Sequence, residues 1–178
     1  FGYHSRCCPS SLYRMLIFKD LITDDELSSD ASPFKLVDDI VYDVEAKFVI
    51  RGSGVDIPTN DEDGGGLDDG EERVINIVDA HNLTETSFTK KQYMVYIKGY
   101  MKKLIEHLQE NDPERVAIFQ KNVQPFVKKV LSNFNDYQFF MGESMDPNGM
   151  IALCYYGEDG MTPRFLLFKD GLKEEKYY

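Results

Sequence analysis

The chain has 178 residues and a mass of 20.5 kDa, with 42% apolar residues, 29% charged residues and a formal charge of −11. That size supports a single hydrophobic core without a disulfide or a structural metal. The acidic balance argues against a nucleic-acid binder, and no apolar run approaches the roughly 18 residues needed to span a bilayer. The three cysteines are two adjacent ones near the start and one far downstream. A disulfide framework is therefore not expected, and a reducing, cytoplasmic setting fits better. The excess negative charge is concentrated: residues 52–72 hold eight acids and no base, whereas 89–134 carry a net +5.

Residues 1–14 have no apolar periodicity and contain Cys7-Cys8-Pro9. They also lack the long apolar centre of a signal peptide, so they read as a non-native or upstream segment before a single domain over 15–178. A short strand is predicted from Met15 to Asp20, ended by the polar run Thr23-Asp24-Asp25-Glu26. Residues 38–51 alternate, with Ile40, Tyr42, Val44, Ala46 and Phe48 on one face at period two. Residues 52–72 hold six of the 13 glycines besides their eight acids. Such a stretch buries too little apolar surface to offset its ordering entropy and is expected to be a long mobile acidic loop. Residues 74–78 resume as a strand on the branched Ile75 and Ile77.

The helical section, 89–134, is the clearest. Thr89 and Gln92 have capping-box spacing, and Tyr93, Ile97, Tyr100, Leu104 and Leu108 recur at intervals of three and four. Asp112 and Pro113 then read as the N-cap and first residue of a second helix. Val116, Phe119, Val123, Phe126, Val127, Val130 and Phe134 continue the apolar stripe. A connection this short makes an antiparallel hairpin. Pro125 falls inside the second helix, where a missing amide donor predicts a kink. Residues 137–141, 150–156 and 163–169 read as strands parted by Asp146-Pro147-Asn148-Gly149 and by residues 157–160, both strong turn chemistry. Strands, a helical hairpin, then more strands make an α+β fold.

Catalytic chemistry is sparse. No CxxC pair supports a zinc site, and Cys154 sits in an apolar strand as a small buried hydrophobe. His81 and His107 lie apart from each other, and no nucleophile elbow or phosphate-cradling glycine motif occurs. An enzyme is not expected. The stretch from Thr59 to Gly64 superficially matches an EF-hand start, but with Gly64 at the sixth position Thr59 and Gly70 fall where the anchoring carboxylates belong. Weak calcium affinity from clustered acids remains open. Asp24-Asp25-Glu26 reads either as an acid/base cluster or as a surface cap. The lysines at 90, 91, 98, 102, 103, 121, 128 and 129 read either as the solvent face of the hairpin or as a surface for an acidic partner such as a microtubule.

Several segments resemble the translationally controlled tumour protein family, also called histamine-releasing factor. Phe18-Lys19-Asp20, Asp25-Glu26 and Ser29-Asp30 are similar to its amino terminus. Thr86-Ser87-Phe88-Thr89-Lys90 and Tyr96-Ile97-Lys98-Gly99-Tyr100-Met101-Lys102 resemble its first long helix. Asn133-Phe134, the run from Tyr137 to Glu143, Gly149-Met150 and Phe168-Lys169-Asp170-Gly171-Leu172 resemble its carboxy-terminal part. The family's glycine- and asparagine-rich loop motif is not intact, with only Pro58-Thr59-Asn60-Asp61-Glu62 reminiscent of it.

The resemblance implies a β-tent core of small, mainly antiparallel sheets, like that of a zinc-containing accessory protein of Rab GTPases but without its metal, carrying a protruding two-helix hairpin. It implies a non-enzymatic growth and survival factor without a cofactor, expected to be a monomer with no membrane insertion. Its implied partners are small GTPases of the Ras/Rheb/Rab type and tubulin or microtubules, with calcium as an implied weak ligand. The acid tied to GTPase contact falls on Glu26, with Asp25 beside it. The microtubule-facing residues would be Lys98, Lys102, Lys103, Lys128 and Lys129 of the basic hairpin.

Overall fold

The computed structural model describes residues 15–51 and 72–177. The upstream segment 1–14 and nearly all of the expected acidic loop, 52–71, lie outside the described residues. The strands are β1 (Met15–Asp20), β2 (Glu26–Ser29), β3 (Phe34–Val37), β4 (Val41–Glu45), β5 (Phe48–Ile50), β6 (Arg73–Ile75) and β7 (Thr84–Thr86), with a short helix α1 (Asn76–Ala80) before β7. The hairpin helices α2 (Lys90–Asn111) and α3 (Pro113–Ser132) follow. Then come β8 (Gln138–Met141), β9 (Ala152–Tyr156), β10 (Pro163–Phe168) and β11 (Leu172–Tyr177).

The strands form three antiparallel sheets among the described residues. One is three-stranded in the order β11-β1-β2, one is six-stranded in the order β3-β4-β10-β9-β8-β7, and β5 pairs with β6. The fold is α+β, as the sequence pattern predicts.

The alternation over 38–51 is broken at Ala46-Lys47, so that β4 enters the large sheet and β5 the small one. Ile40, Val44 and Ala46 are buried as predicted, but so are Val41 and Asp43 on the opposite face. The second face is buried because the helices pack on it. Register places Val41 beside Phe168, Asp43 beside Leu166, and Leu166 and Phe139 each beside Leu153. Tyr100 and Phe126 pack on Phe168, and Tyr93 on Phe139, with ring centroids 5.3 to 5.8 Å apart. Residues 74–78 also depart from expectation, since the strand ends at Ile75 and turns into α1.

The hairpin follows the sequence closely. The Thr89 side chain accepts from the Gln92 amide and Gln92 reaches back to the Thr89 amide, completing the capping box. Tyr93, Ile97, Tyr100, Leu104 and Leu108 are all buried. Asp112 stands at the N-cap of α3, yet its side chain makes no capping bond, which corrects one expectation. Pro113 occupies the first turn, where its missing donor costs nothing, and α3 continues through Pro125 to Ser132. Arg115, in the first turn of α3, makes ion pairs with Asp39 in the β3–β4 turn and Asp170 between β10 and β11.

Candidate functional site

The acidic run after β1 is built on a buried carboxylate. Asp20 is 2% exposed and accepts hydrogen bonds from the Ile22 amide, the Thr23 hydroxyl and the Met150 amide, at 2.7 to 3.0 Å. The chain passes so close that a Cβ on Gly149 would lie 2.6 Å from Asp20 Oδ2. Asp20 thus holds the β1–β2 connection against the loop before β9. Asp24 follows with a φ of 63°, a left-handed conformation that aspartate tolerates better than most residues, and its exposed carboxylate lies 3.7 Å from Lys173.

Asp25 and Glu26 have different environments. Asp25 Oδ2 accepts from the Ser144 hydroxyl at 2.5 Å and the Ser144 amide at 3.3 Å. Gly142 leaves room for it: a Cβ there would meet Asp25 Oδ2 at 2.5 Å. Asp25 therefore spends its hydrogen-bonding capacity within the chain. Glu26 opens β2, an edge strand, and its side chain is 46% exposed. Leu27 and Ser28 behind it are buried and fix the strand. The Glu26 carboxylate lies 4.0 Å from both Lys19 Nζ and His81 Nδ1, so a cation and a titratable ring flank it. Burial lowers the His81 pKa, and the Glu26 charge partly opposes that shift. The sequence does not pair His81 with Glu26, because His81 follows α1 and comes beside Glu26 only through the tertiary fold.

The hairpin lysines do not form one patch. Lys98 and Lys102 border the groove between α2 and α3, together with Met101, Ile105 and Gln120. Lys103 borders a separate groove on the other flank of α2, with Lys91, Val95 and Gly99. Lys129 borders a third recess, where the end of α3 meets the large sheet. Lys128 is exposed beside it in the sequence, and Lys102 is paired with Glu106 at 3.9 Å.

Other expected chemistry can be placed as well. Cys154 is fully buried in β9, and burial pushes its thiol up to about 12, which suits a packing residue rather than a nucleophile. No group of three or more histidine, cysteine or acidic side chains among the described residues is arranged to hold a metal ion. The clustered acids considered for calcium lie almost entirely outside those residues.

A profile of the translationally controlled tumour protein family matches residues 15–173. The chain belongs to that family. The homologue from Schizosaccharomyces pombe is 51% identical over 168 residues, covering 92% of this chain and 100% of the relative. The Mycosarcoma maydis homologue is 48% identical, covering 91% of this chain and 99% of its own. The solved S. pombe structure, named p23fyp, has a TM-score of 0.78 at 50% identity, covering 91% of this chain and 99% of that one. The Caenorhabditis elegans solution structure has a TM-score of 0.69 at 35% identity, covering 92% and 99%. The names of these family members designate no enzymatic activity. No described helix is long and apolar enough to cross a membrane.

Proposed function

We propose that this chain is a non-enzymatic, cytoplasmic accessory factor for a small GTPase of the Ras/Rheb/Rab type, acting in growth control. Glu26 is its contact residue. The observation that carries this reading is the division of labour in the acidic run. Asp20 and Asp25 bind the chain to itself through hydrogen bonds, while Glu26 projects half-exposed from an edge strand backed by buried Leu27 and Ser28, with only the 4.0 Å approaches of Lys19 and His81. A carboxylate held on a fixed backbone loses little entropy when it pairs with a lysine or arginine of a partner. Asp25 supports the site by positioning the strand.

The test is capture by nucleotide-free GTPase, with Glu26→Val compared against the parent chain and both checked by thermal melting. Removing one member of a desolvated interfacial pair costs about 2–5 kcal/mol, whereas a surface substitution away from caps changes stability by less than about 0.5 kcal/mol. The expected result is lost capture with an unchanged melting temperature at about pH 8, above the window in which His81 titrates. Early melting with normal capture would make Glu26 a structural residue and overturn the proposal.

A second reading, microtubule binding, is favoured by one observation: Lys98 and Lys102 line the same groove of the hairpin. Lys98→Glu with Lys102→Glu should abolish co-sedimentation, while Lys128→Glu with Lys129→Glu should weaken it less. Salt should release the parent chain as the Debye length falls toward about 3 Å at 1 M. Calcium affinity is proposed to be weak, about millimolar, because the acidic stretch lacks both EF-hand anchors. A micromolar site found by calorimetry would refute that.

A further inference from the structure

The helical cover over the large sheet ends before the sheet does. Beside Leu166 the same face carries Asp43 and, further along the strands, Tyr155, and the end of α3 with the turn that follows closes a recess of about 560 Å³ against them. Phe126, Tyr137, Tyr155 and Leu166 supply its apolar and aromatic surface. Tyr137 and Tyr155 pack with ring centroids 6.0 Å apart. Asp38, Asp43, Asp136 and Lys129 border it, and Asp43 also pairs with Arg164 and Lys35.

Asp43 is the unusual member. It is 3% exposed, and its Oδ2 is used three ways: by the Tyr155 hydroxyl at 2.9 Å, by an Arg164 guanidinium nitrogen at 3.2 Å and by Lys35 Nζ at 3.6 Å. Its Oδ1 is buried with no hydrogen-bond partner. A buried carboxylate oxygen without a donor is costly, and such groups in native folds normally have a partner.

We propose that this recess binds an aliphatic ammonium group, which donates to Asp43 while its methylene stem lies along Tyr137, Tyr155 and Leu166. An ammonium carries three donors and no acceptor, matching an orphan acceptor. Tyrosine faces attract such a cation as well as its stem. Asp38 and Asp136 on the rim favour a second charge on the same molecule, and the chain's −11 draws polycations at long range. A recess of this size lies within the range of small-ligand sites. The same chemistry can come from a free polyamine or from a lysine side chain of another protein.

The test follows the amide resonances of Tyr137, Tyr155 and Gly157 in the full chain as spermidine, N-acetyl-lysine amide or calcium chloride is added. Spermidine should give saturable shifts at these amides at about 1 mM or below. Asp43→Asn, which keeps the shape and removes the charge, should weaken binding about tenfold. Tyr137→Ala, which leaves the Asp43 pairs intact, should also weaken it and decides the matter if Asp43→Asn does not fold. Saturation by spermidine identifies a free polyamine site, and saturation by N-acetyl-lysine amide alone identifies a protein side chain as occupant. Shifts by calcium alone, shifts by neither amine, or undiminished binding in folded Asp43→Asn would overturn the proposal.

Discussion

Glu26 and His81 stand 4.0 Å apart, and that distance gives a signed expectation for pH. Burial holds His81 below its ordinary value of 6.5, with Glu26 the opposing influence. Between the depressed folded value and 6.5 the unfolded chain binds more protons than the folded one, so stability rises with pH across that window. Stability is complete above the unfolded value and is lost as pH falls through it. Glu26→Val removes the influence that raises the His81 pKa and should steepen the acid loss, whereas His81→Gln should flatten it. Thermal melts between about pH 5 and pH 8 read this directly, and identical slopes for all three chains would show that the ring and the carboxylate do not communicate. A second residue-scale expectation concerns Gly142. A methyl group there displaces Asp25 from Ser144, so Gly142→Ala should cost about 1–3 kcal/mol in denaturant titration, the range of an overpacked site.

Among the elements, the two helix starts of the hairpin make a matched comparison. Thr89 closes a reciprocal capping box, and Asp112 occupies the same station of α3 with an idle side chain. Thr89→Ala should therefore lose about 1 kcal/mol, while Asp112→Ala should change stability by less than about 0.5 kcal/mol. Equal losses in urea melts would mean that the Asp112 carboxylate acts through the helix dipole rather than a bond. The pair also shows what was legible. A helix announces itself through many residues at one period, so α2 could be read with its cap and all five core residues. Whether one carboxylate bends back to an amide depends on local torsions that the residue type does not fix. Strand β11 was invisible for a related reason. Leu172–Tyr177 reads as charges without an apolar face, yet it pairs along the whole of β1 and sets Glu175 2.6 Å from Lys19. Its register is set by a partner more than 150 residues away. No local pattern records that.

For the whole molecule, sites built from several segments were the least legible. Glu26 could be singled out by resemblance to a family, but its neighbour His81 arrives just after α1, and the buried Asp43 falls on the face opposite the one that the alternation picks out. The same holds for Arg115, which the sequence presents as one charge on an amphipathic helix. Its guanidinium joins three parts of the fold at one point. Nε bonds Asp170 Oδ1 at 3.0 Å and one terminal nitrogen bonds Asp170 Oδ2 at 3.2 Å, where the chain passes from the six-stranded sheet to the three-stranded one. The remaining donors reach the Asp39 carboxylate and carbonyl in the β3–β4 turn. Arg115 is 13% exposed and Asp170 6%, so the pair is largely out of water. Removing the arginine alone strands a buried carboxylate, and Arg115→Met should cost about 3 kcal/mol. Replacing both partners with apolar residues removes the stranded charge, so Arg115→Met with Asp170→Leu should recover much of that loss. Asp39→Ala, at a more exposed carboxylate, should cost less than Arg115→Met. Denaturant titrations of Arg115→Met, of Asp170→Leu and of the double variant measure the coupling. Strictly additive losses in the double variant would mean that Arg115 and Asp170 do not stabilise the fold through each other.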